Sequence, residues 1–260
     1  MSETRHPIPP RPAPSRPTPR DEEWRYADPD VLQALAPAAF EQWRDIEVPA
    51  GETFRECFVL DEAEPVLRRL RVHVGAGGRC ELFAVSAGAD YARMEIVVHL
   101  EREAHFEFGG VTIGGGQATR EFVTRMGHAE PEATSNQVIR SVHWGRATGN
   151  FLGRIDVARD AQKTDAAQDF KGLLLERGAS VNTKPELEIF ADDVKCAHGA
   201  AIGQLDDAAR YYMAARGIPP ELARRLLIRA FIAEAFRALP EVSDQERLLD
   251  AALAALGDRT

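Results

Sequence analysis

The chain reads as a mainly β protein with helical segments at both ends, and three observations carry that reading. Between about Gly51 and Gly203, apolar and polar residues alternate in short runs bounded by Gly, Asp, Asn or Pro, which is the period of strands. No helical pattern separates those runs, so strands joined by crossover helices are disfavoured. From Leu205 onward the apolar spacing becomes that of helices.

Residues 1–20 hold seven prolines mixed with arginines, a composition that favours extended conformations over a packed core and predicts a disordered tail. A helical segment is expected over 21–50, with Asp30 as N-cap before Val31, Leu32, Leu35, Phe40 and Trp43, and with Pro37 interrupting the pattern. The β core spans 51–204. Its strand-like runs are Leu70–Val74, Glu81–Val85, Glu95–Leu100, His105–Ile113, Glu121–Arg125, Gln137–His143, Phe151–Val157, Gly172–Leu175 and Leu187–Phe190. Their spacing of about ten to fifteen residues fits a sandwich, a barrel or a solenoid. The region has no Asn-Gly or Asp-Gly dipeptide and no recurring two-residue turn, which leans toward a solenoid.

A three-helix unit is expected over 205–260. Asp206 caps a first helix that runs to Arg216 and is ended by Gly217 in a left-handed conformation. Pro219 and Pro220 open a second helix, whose Leu222, Leu226, Leu227, Ala230, Phe231, Ala235 and Phe236 form an apolar stripe ending near Leu239-Pro240. Ser243 and Glu246 have capping-box spacing before a third, with Leu248, Leu249, Ala252, Leu253 and Leu256, closed by Gly257.

The length of 260 residues accommodates one main domain with helical appendages. A net charge of −9 argues against a general nucleic-acid binder, because phosphate binding draws on clustered cations. No apolar run approaches the ~20 residues of a membrane helix, and the start of the chain lacks a secretory h-region. A cytoplasmic protein is expected. Cys57, Cys80 and Cys196 are too few and too scattered for a disulfide framework.

Gly75-Ala76-Gly77-Gly78, Gly109-Gly110 and Gly114-Gly115-Gly116 resemble phosphate loops only superficially. No helix follows the first, and no Gly-Lys-Ser/Thr occurs anywhere, so tight turns are expected. No Gly-x-Ser-x-Gly elbow is present either. His73, His99, His105, His128 and His143 lie in the strand region, where a solenoid would bring some into register; hydrogen-bonded strand residues are the simpler reading. Asp192 and Asp193 are adjacent, face opposite sides of a strand and read as turn residues. Cys196 and His198 are two apart, which on a strand places both on one face. A thiolate and an imidazole together suit iron, a nascent cluster or zinc, although a free Cys is often a small buried apolar residue.

The stretch Ala191-Asp192-Asp193-Val194-Lys195-Cys196-Ala197-His198-Gly199-Ala200-Ala201-Ile202-Gly203-Gln204-Leu205-Asp206, with Tyr211-Tyr212 and Arg216-Gly217-Ile218, resembles the C-terminal signature of the SufB/SufD family of iron–sulfur cluster scaffolds, in its SufD branch. The likeness extends over roughly Phe170–Leu239, with Asp169-Phe170-Lys171-Gly172 and Pro185-Glu186-Leu187-Glu188-Ile189, and reappears at Glu22-Glu23-Trp24-Arg25-Tyr26. The Cys-x-His-Gly form favours the SufD branch. The chain is short beside longer family members, which carry a larger N-terminal helical region.

The resemblance implies a right-handed parallel β-helix core and a non-catalytic scaffold. It implies pairing with a SufB-like subunit, and recruitment of a SufC-like ATPase through about residues 206–239. His198 and Cys196 become candidate ligands for iron or a nascent iron–sulfur cluster held transiently at the subunit interface. A flavin is compatible with the assembled complex. Two alternatives stay open: a polysaccharide-acting β-helix enzyme, which needs carboxylate or Arg clusters along one solenoid face and is usually exported, and a metal-free β-solenoid adaptor.

Overall fold

A computed structural model describes residues 16–257. It places twelve strands in two parallel six-stranded sheets, ordered β1-β3-β5-β7-β9-β11 and β12-β10-β8-β6-β4-β2. The strands are β1 (Arg44–Val48), β2 (Thr53–Leu60), β3 (Val66–Val74), β4 (Arg79–Ser86), β5 (Tyr91–Leu100), β6 (His105–Gly114), β7 (Thr119–His128), β8 (Thr134–His143), β9 (Thr148–Val157), β10 (Asp165–Leu174), β11 (Ser180–Ile189) and β12 (Lys195–Gly203). Consecutive strands alternate between the sheets, so the chain winds a parallel β-solenoid of six coils. Ladder partners lie 26 residues apart at Arg44↔Leu70 and 32 apart at Thr148↔Ser180. The strand spacing seen in the sequence is half of this coil.

Five of the six coils turn on a residue with positive φ two positions before their strand in the β2–β12 sheet: Gly51 (72°), Gly77 (64°), Glu103 (57°), Glu132 (64°) and Lys163 (62°). Glycine meets this requirement without strain, and the later coils meet it with Glu and Lys. The Gly75–Gly78 segment and Gly114–Gly116 are turns at strand ends, as expected. Gly109 and Gly110 are not; both lie inside β6. A Cβ at Gly109 would collide with the Ala235 carbonyl oxygen, and one at Gly110 would reach 2.8 Å from the Phe122 ring. These glycines admit neighbours rather than turn the chain.

Alternation sends every second side chain inward. Inside the coils pack Leu70, Leu82, Met94, Ile96, Phe106, Phe108, Phe122, Ile139, Phe151 and Phe170, with Phe108 edge-on to Phe122 at 5.3 Å and Phe151 stacked on Phe170 at 5.5 Å. The C-terminal helices are α2 (Asp207–Ala215), α3 (Pro220–Ala233) and α4 (Val242–Leu256). The outer face of the β2–β12 sheet, with Phe83, Val85, Val111, Ile113 and Val142, is covered by α3, α4 and the turn between them.

The opposite sheet is covered by the N-terminal segment, where Trp24, Leu32 and Phe40 pack over Tyr91. Beneath Trp24 the fully buried Arg93 guanidinium lies 3.8 Å from the indole centroid and pairs with Glu121 at 3.4 Å. The helical segment expected over 21–50 is thus two 3-10 turns (Glu22–Trp24, Pro37–Phe40) around a single short helix, α1 (Pro29–Ala34), and it ends in strand β1. Asp28 rather than Asp30 caps α1, accepting from the backbone N–H of Asp30 and Val31, because Pro29 takes the first helical position and needs no acceptor. Residues 1–15, most of the proline-rich segment expected to be a disordered tail, lie outside the described residues.

At the C-terminus Asp206 caps α2 through Ala208 N–H at 2.8 Å, and Gly217 has φ 78°. The expected stripe holds at Ala235 and Phe236, which are buried in the 3-10 turn after α3, but within α3 it is displaced: Ala223, Ile228 and Ile232 are buried while Leu222 and Leu226 are exposed. The Ser243–Glu246 capping box is not used. Glu241 is the N-cap of α4, its carbonyl taking the Asp244 and Gln245 amides at 3.1 Å, which places Ser243 inside the first turn.

Candidate functional site at the open end of the solenoid

Strand β12 pairs with β10 on one side and ends its sheet on the other. Lys195 N–H donates to Thr164 O at 2.8 Å, and backbone groups alternate along a parallel strand. The N–H and C=O groups of Cys196, His198, Ala200 and Ile202 therefore face the open edge. Strand β11 closes the other sheet in the same way, and the last coil carries the exposed apolar side chains Ile189, Phe190 (56% exposed) and Ile202. An unpaired strand edge beside apolar side chains is a template for another strand. Asp192 and Asp193 lie in the turn before β12, where Lys163 N–H donates to Asp193 O at 2.6 Å.

The register sets Ala166 beside Cys196, Gln168 beside His198 and Phe170 beside Ala200. Cys196 packs against the solenoid interior, so its position fixes the inward face, and His198 shares it two residues on. Burial, followed by the nearby Asp165 carboxylate, pushes the Cys196 thiol up, so it is a thiol at neutral pH, and a thiol ligates a metal only after losing its proton. His198 is exposed at the mouth of the coil. The pair is a soft thiol and a borderline imidazole on one face, a donor set that fits iron or a nascent cluster. Among the described residues no group of three His, Cys, Asp or Glu side chains is placed to hold a metal ion.

The other two cysteines lie elsewhere. Cys80 is in the solenoid core with its thiol pushed up to about 12 by burial, and Cys57 packs toward the C-terminal helices. Of the five strand histidines, His73 and His99 do come into register, with ring centroids 5.5 Å apart on the outer face. His73 Nδ1 lies 2.8 Å from Glu47 and Nε2 3.0 Å from Glu101. His105 lies 2.7 Å from Thr134 Oγ1. His128 and His143 are buried, lowered by desolvation to about 4 and about 3, and each contacts a serine, Ser135 at 2.9 Å and Ser141 at 2.8 Å. None of the five reaches the open end.

The composition did not reveal two inward glutamines behind His198, Gln137 on β8 and Gln168 on β10, which are ladder partners of each other. Reading them required the register. Next to the open end, α2 buries none of its residues, and it presents Tyr211 (80% exposed) and Tyr212 (59% exposed). No helix among the described residues is long and apolar enough to cross a membrane.

Comparison with known proteins fits this geometry. Residues 61–231 match the SufBD core domain of the SUF system for FeS cluster assembly. An iron–sulfur cluster assembly SufBD family protein of Synechocystis sp. is 36% identical over 175 residues, which cover 67% of this chain and 39% of that protein. The iron–sulfur cluster assembly protein SufD of Escherichia coli is 39% identical over 136 residues, 52% of this chain and 31% of the relative. The chloroplastic protein ABCI7 of Arabidopsis thaliana is 37% identical over 173 residues, 64% of this chain and 36% of the relative. The match thus spans well under half the length of these relatives. With its parallel solenoid and its core-domain match, the chain belongs to the SufBD family of the SUF iron–sulfur cluster assembly system.

Proposed function

We propose that this chain is a non-catalytic, SufD-like scaffold subunit acting in the cytoplasm. Its open solenoid end pairs with a SufB-like subunit, and residues 206–239 recruit a SufC-like ATPase. Iron or a nascent cluster is the cargo, held at the junction of the two scaffold chains by His198, with Cys196 as a second donor. One observation carries the reading: among the described residues the signature strand β12 is an edge without a second neighbour, and it presents its imidazole and thiol on one inward face of the last coil.

Two donors make half a site, so a second chain adding its strand would also add the missing ligands. The ATPase is assigned to α2 and the exposed start of α3 because Tyr211, Tyr212, Leu222 and Leu226 are spare apolar surface. A flavin has no support in the site's residues and plays no part in the proposal.

The polysaccharide-enzyme alternative needs open carboxylate or Arg clusters. Here the outward columns are consumed in ion pairs such as Arg69–Glu95 at 3.0 Å, Arg55–Glu81 at 2.5 Å and Arg140–Glu234 at 2.7 Å, largely under the terminal segments.

Pairing is tested by Ala200→Pro. Proline removes an N–H that faces the open edge and leaves the β10–β12 bonds intact. Co-expressed with SufB-like and SufC-like chains, the variant is expected to keep the wild-type melting temperature and to lose the SufB-like chain on purification. Retention of that chain would contradict pairing through β12.

A further inference from the structure

From β4 to β12 the inward positions of the strands carry no Asp or Glu, yet they carry one arginine, Arg120 on β7, which shares its face with the core residue Phe122. Arg120 is 2% exposed. Burial, partly offset by Asp90, lowers its guanidinium to about 10, so at neutral pH it is a cation. Asp90 is exposed in the turn before β5, and among the described residues no carboxylate forms an ion pair with Arg120. Its terminal nitrogens donate to Thr119 O at 3.1 Å and Gly88 O at 2.6 Å, while Nε is buried without a partner. A buried charge without a countercharge is strongly disfavoured.

The surroundings of this cation are polar. Ser86, Thr112 and Ser141 are successive ladder partners on β4, β6 and β8, each 1% exposed, and they form an inward column of hydroxyls. On the opposite sheet the ladder neighbours of Arg120 are the small residues Ala92 and Gly149. A Cβ on Gly149 would collide with Ser141 Oγ and His143 Nε2, so the two columns meet across the interior at this corner. Thr112 Oγ1 donates to Ser141 Oγ at 2.8 Å, and Ser141 Oγ lies 2.8 Å from His143 Nε2. Ser86 Oγ, like Arg120 Nε, is buried and unpartnered.

We propose that this corner of the solenoid is a binding site for a small monovalent anion of halide size, with Arg120 as its countercharge and Ser86 as a hydroxyl donor. The anion neutralises a guanidinium that the fold supplies with no acid of its own. Two of the three guanidinium nitrogens are already committed to backbone carbonyls, which leaves too few donors for a phosphate or sulfate and suits a single-atom anion. The site is separate from Cys196 and His198 and does not depend on their role as ligands.

A ligand that binds only the folded chain raises its stability with concentration. The test is thermal melting of the full chain as potassium bromide replaces potassium gluconate at constant ionic strength, for wild type and Arg120→Met. Relative to the variant, the wild type is expected to gain up to roughly 5 °C for a tenfold rise in bromide. Parallel dependence in the two proteins, or none in either, would overturn the proposal, since a site filled by water alone is indifferent to the anion. Should Arg120→Met not fold, anomalous diffraction from wild-type crystals soaked in bromide decides: a peak beside Arg120 Nε and Ser86 Oγ is expected, and an interior without one would overturn the assignment.

Discussion

His128 and His143 are bases kept neutral inside the solenoid, and this couples the fold to pH. Their folded values, about 4 and about 3, lie below the ordinary 6.5 because burial penalises the charged form. The unfolded chain then binds more protons than the folded one below pH 6.5, so stability is complete above that value and falls as pH drops toward the folded values. Between pH 7 and 5 the loss is about 2 kcal/mol per histidine. His143→Gln is therefore expected to lose less stability than wild type over that interval in urea melts at the two pH values; an equal loss would contradict the assignment. Gly109 makes a steric prediction. Its β6 position faces the Ala235 carbonyl under the C-terminal helices, so Gly109→Ala is expected to destabilise by about 1–3 kcal/mol in denaturant melts. At this scale the sequence disclosed that Cys196 and His198 share a face, since that parity is local. It did not disclose that Gln168 stands behind His198, because the pairing depends on a coil of about 30 residues whose length drifts from turn to turn.

Among the elements, the helices divide into those that cover the solenoid and one that does not. Helix α4 and the buried side of α3 seal the β2–β12 sheet through Ile228, Ile232, Leu248, Leu249 and Leu256, whereas α2 buries nothing. The double variant Tyr211→Ala, Tyr212→Ala is expected to change stability by no more than ~0.5 kcal/mol and to abolish co-purification of the SufC-like ATPase. A large stability loss would mean that α2 is part of the fold. The ends of α2 were legible because Asp206 and Gly217 act through local backbone chemistry. The burial stripe of α3 was less so, since the sheet below it selects which apolar residues turn inward. Strand β1 escaped the periodic reading for a related reason: only Ile46 and Val48 of its five residues are buried.

At the scale of the whole molecule, the two faces of the solenoid are closed by the terminal segments, while its last coil is not. The alternating runs announced many strands, and the signature residues pointed to the family, but neither fixes the stacking order. That order depends on left-handed turn residues at Gly51, Gly77, Glu103, Glu132 and Lys163, a repeat hidden because two glycines give way to glutamates and a lysine. The consequence of the order is that, among the described residues, the strand bearing Cys196 and His198 ends its sheet. The most direct test is anaerobic iron and sulfide analysis of this chain purified with its SufB-like and SufC-like partners, as wild type and as His198→Ala. The account predicts an intact three-protein complex whose iron and sulfide are lost in the variant; an intact complex loaded as in wild type would contradict a ligand role for His198.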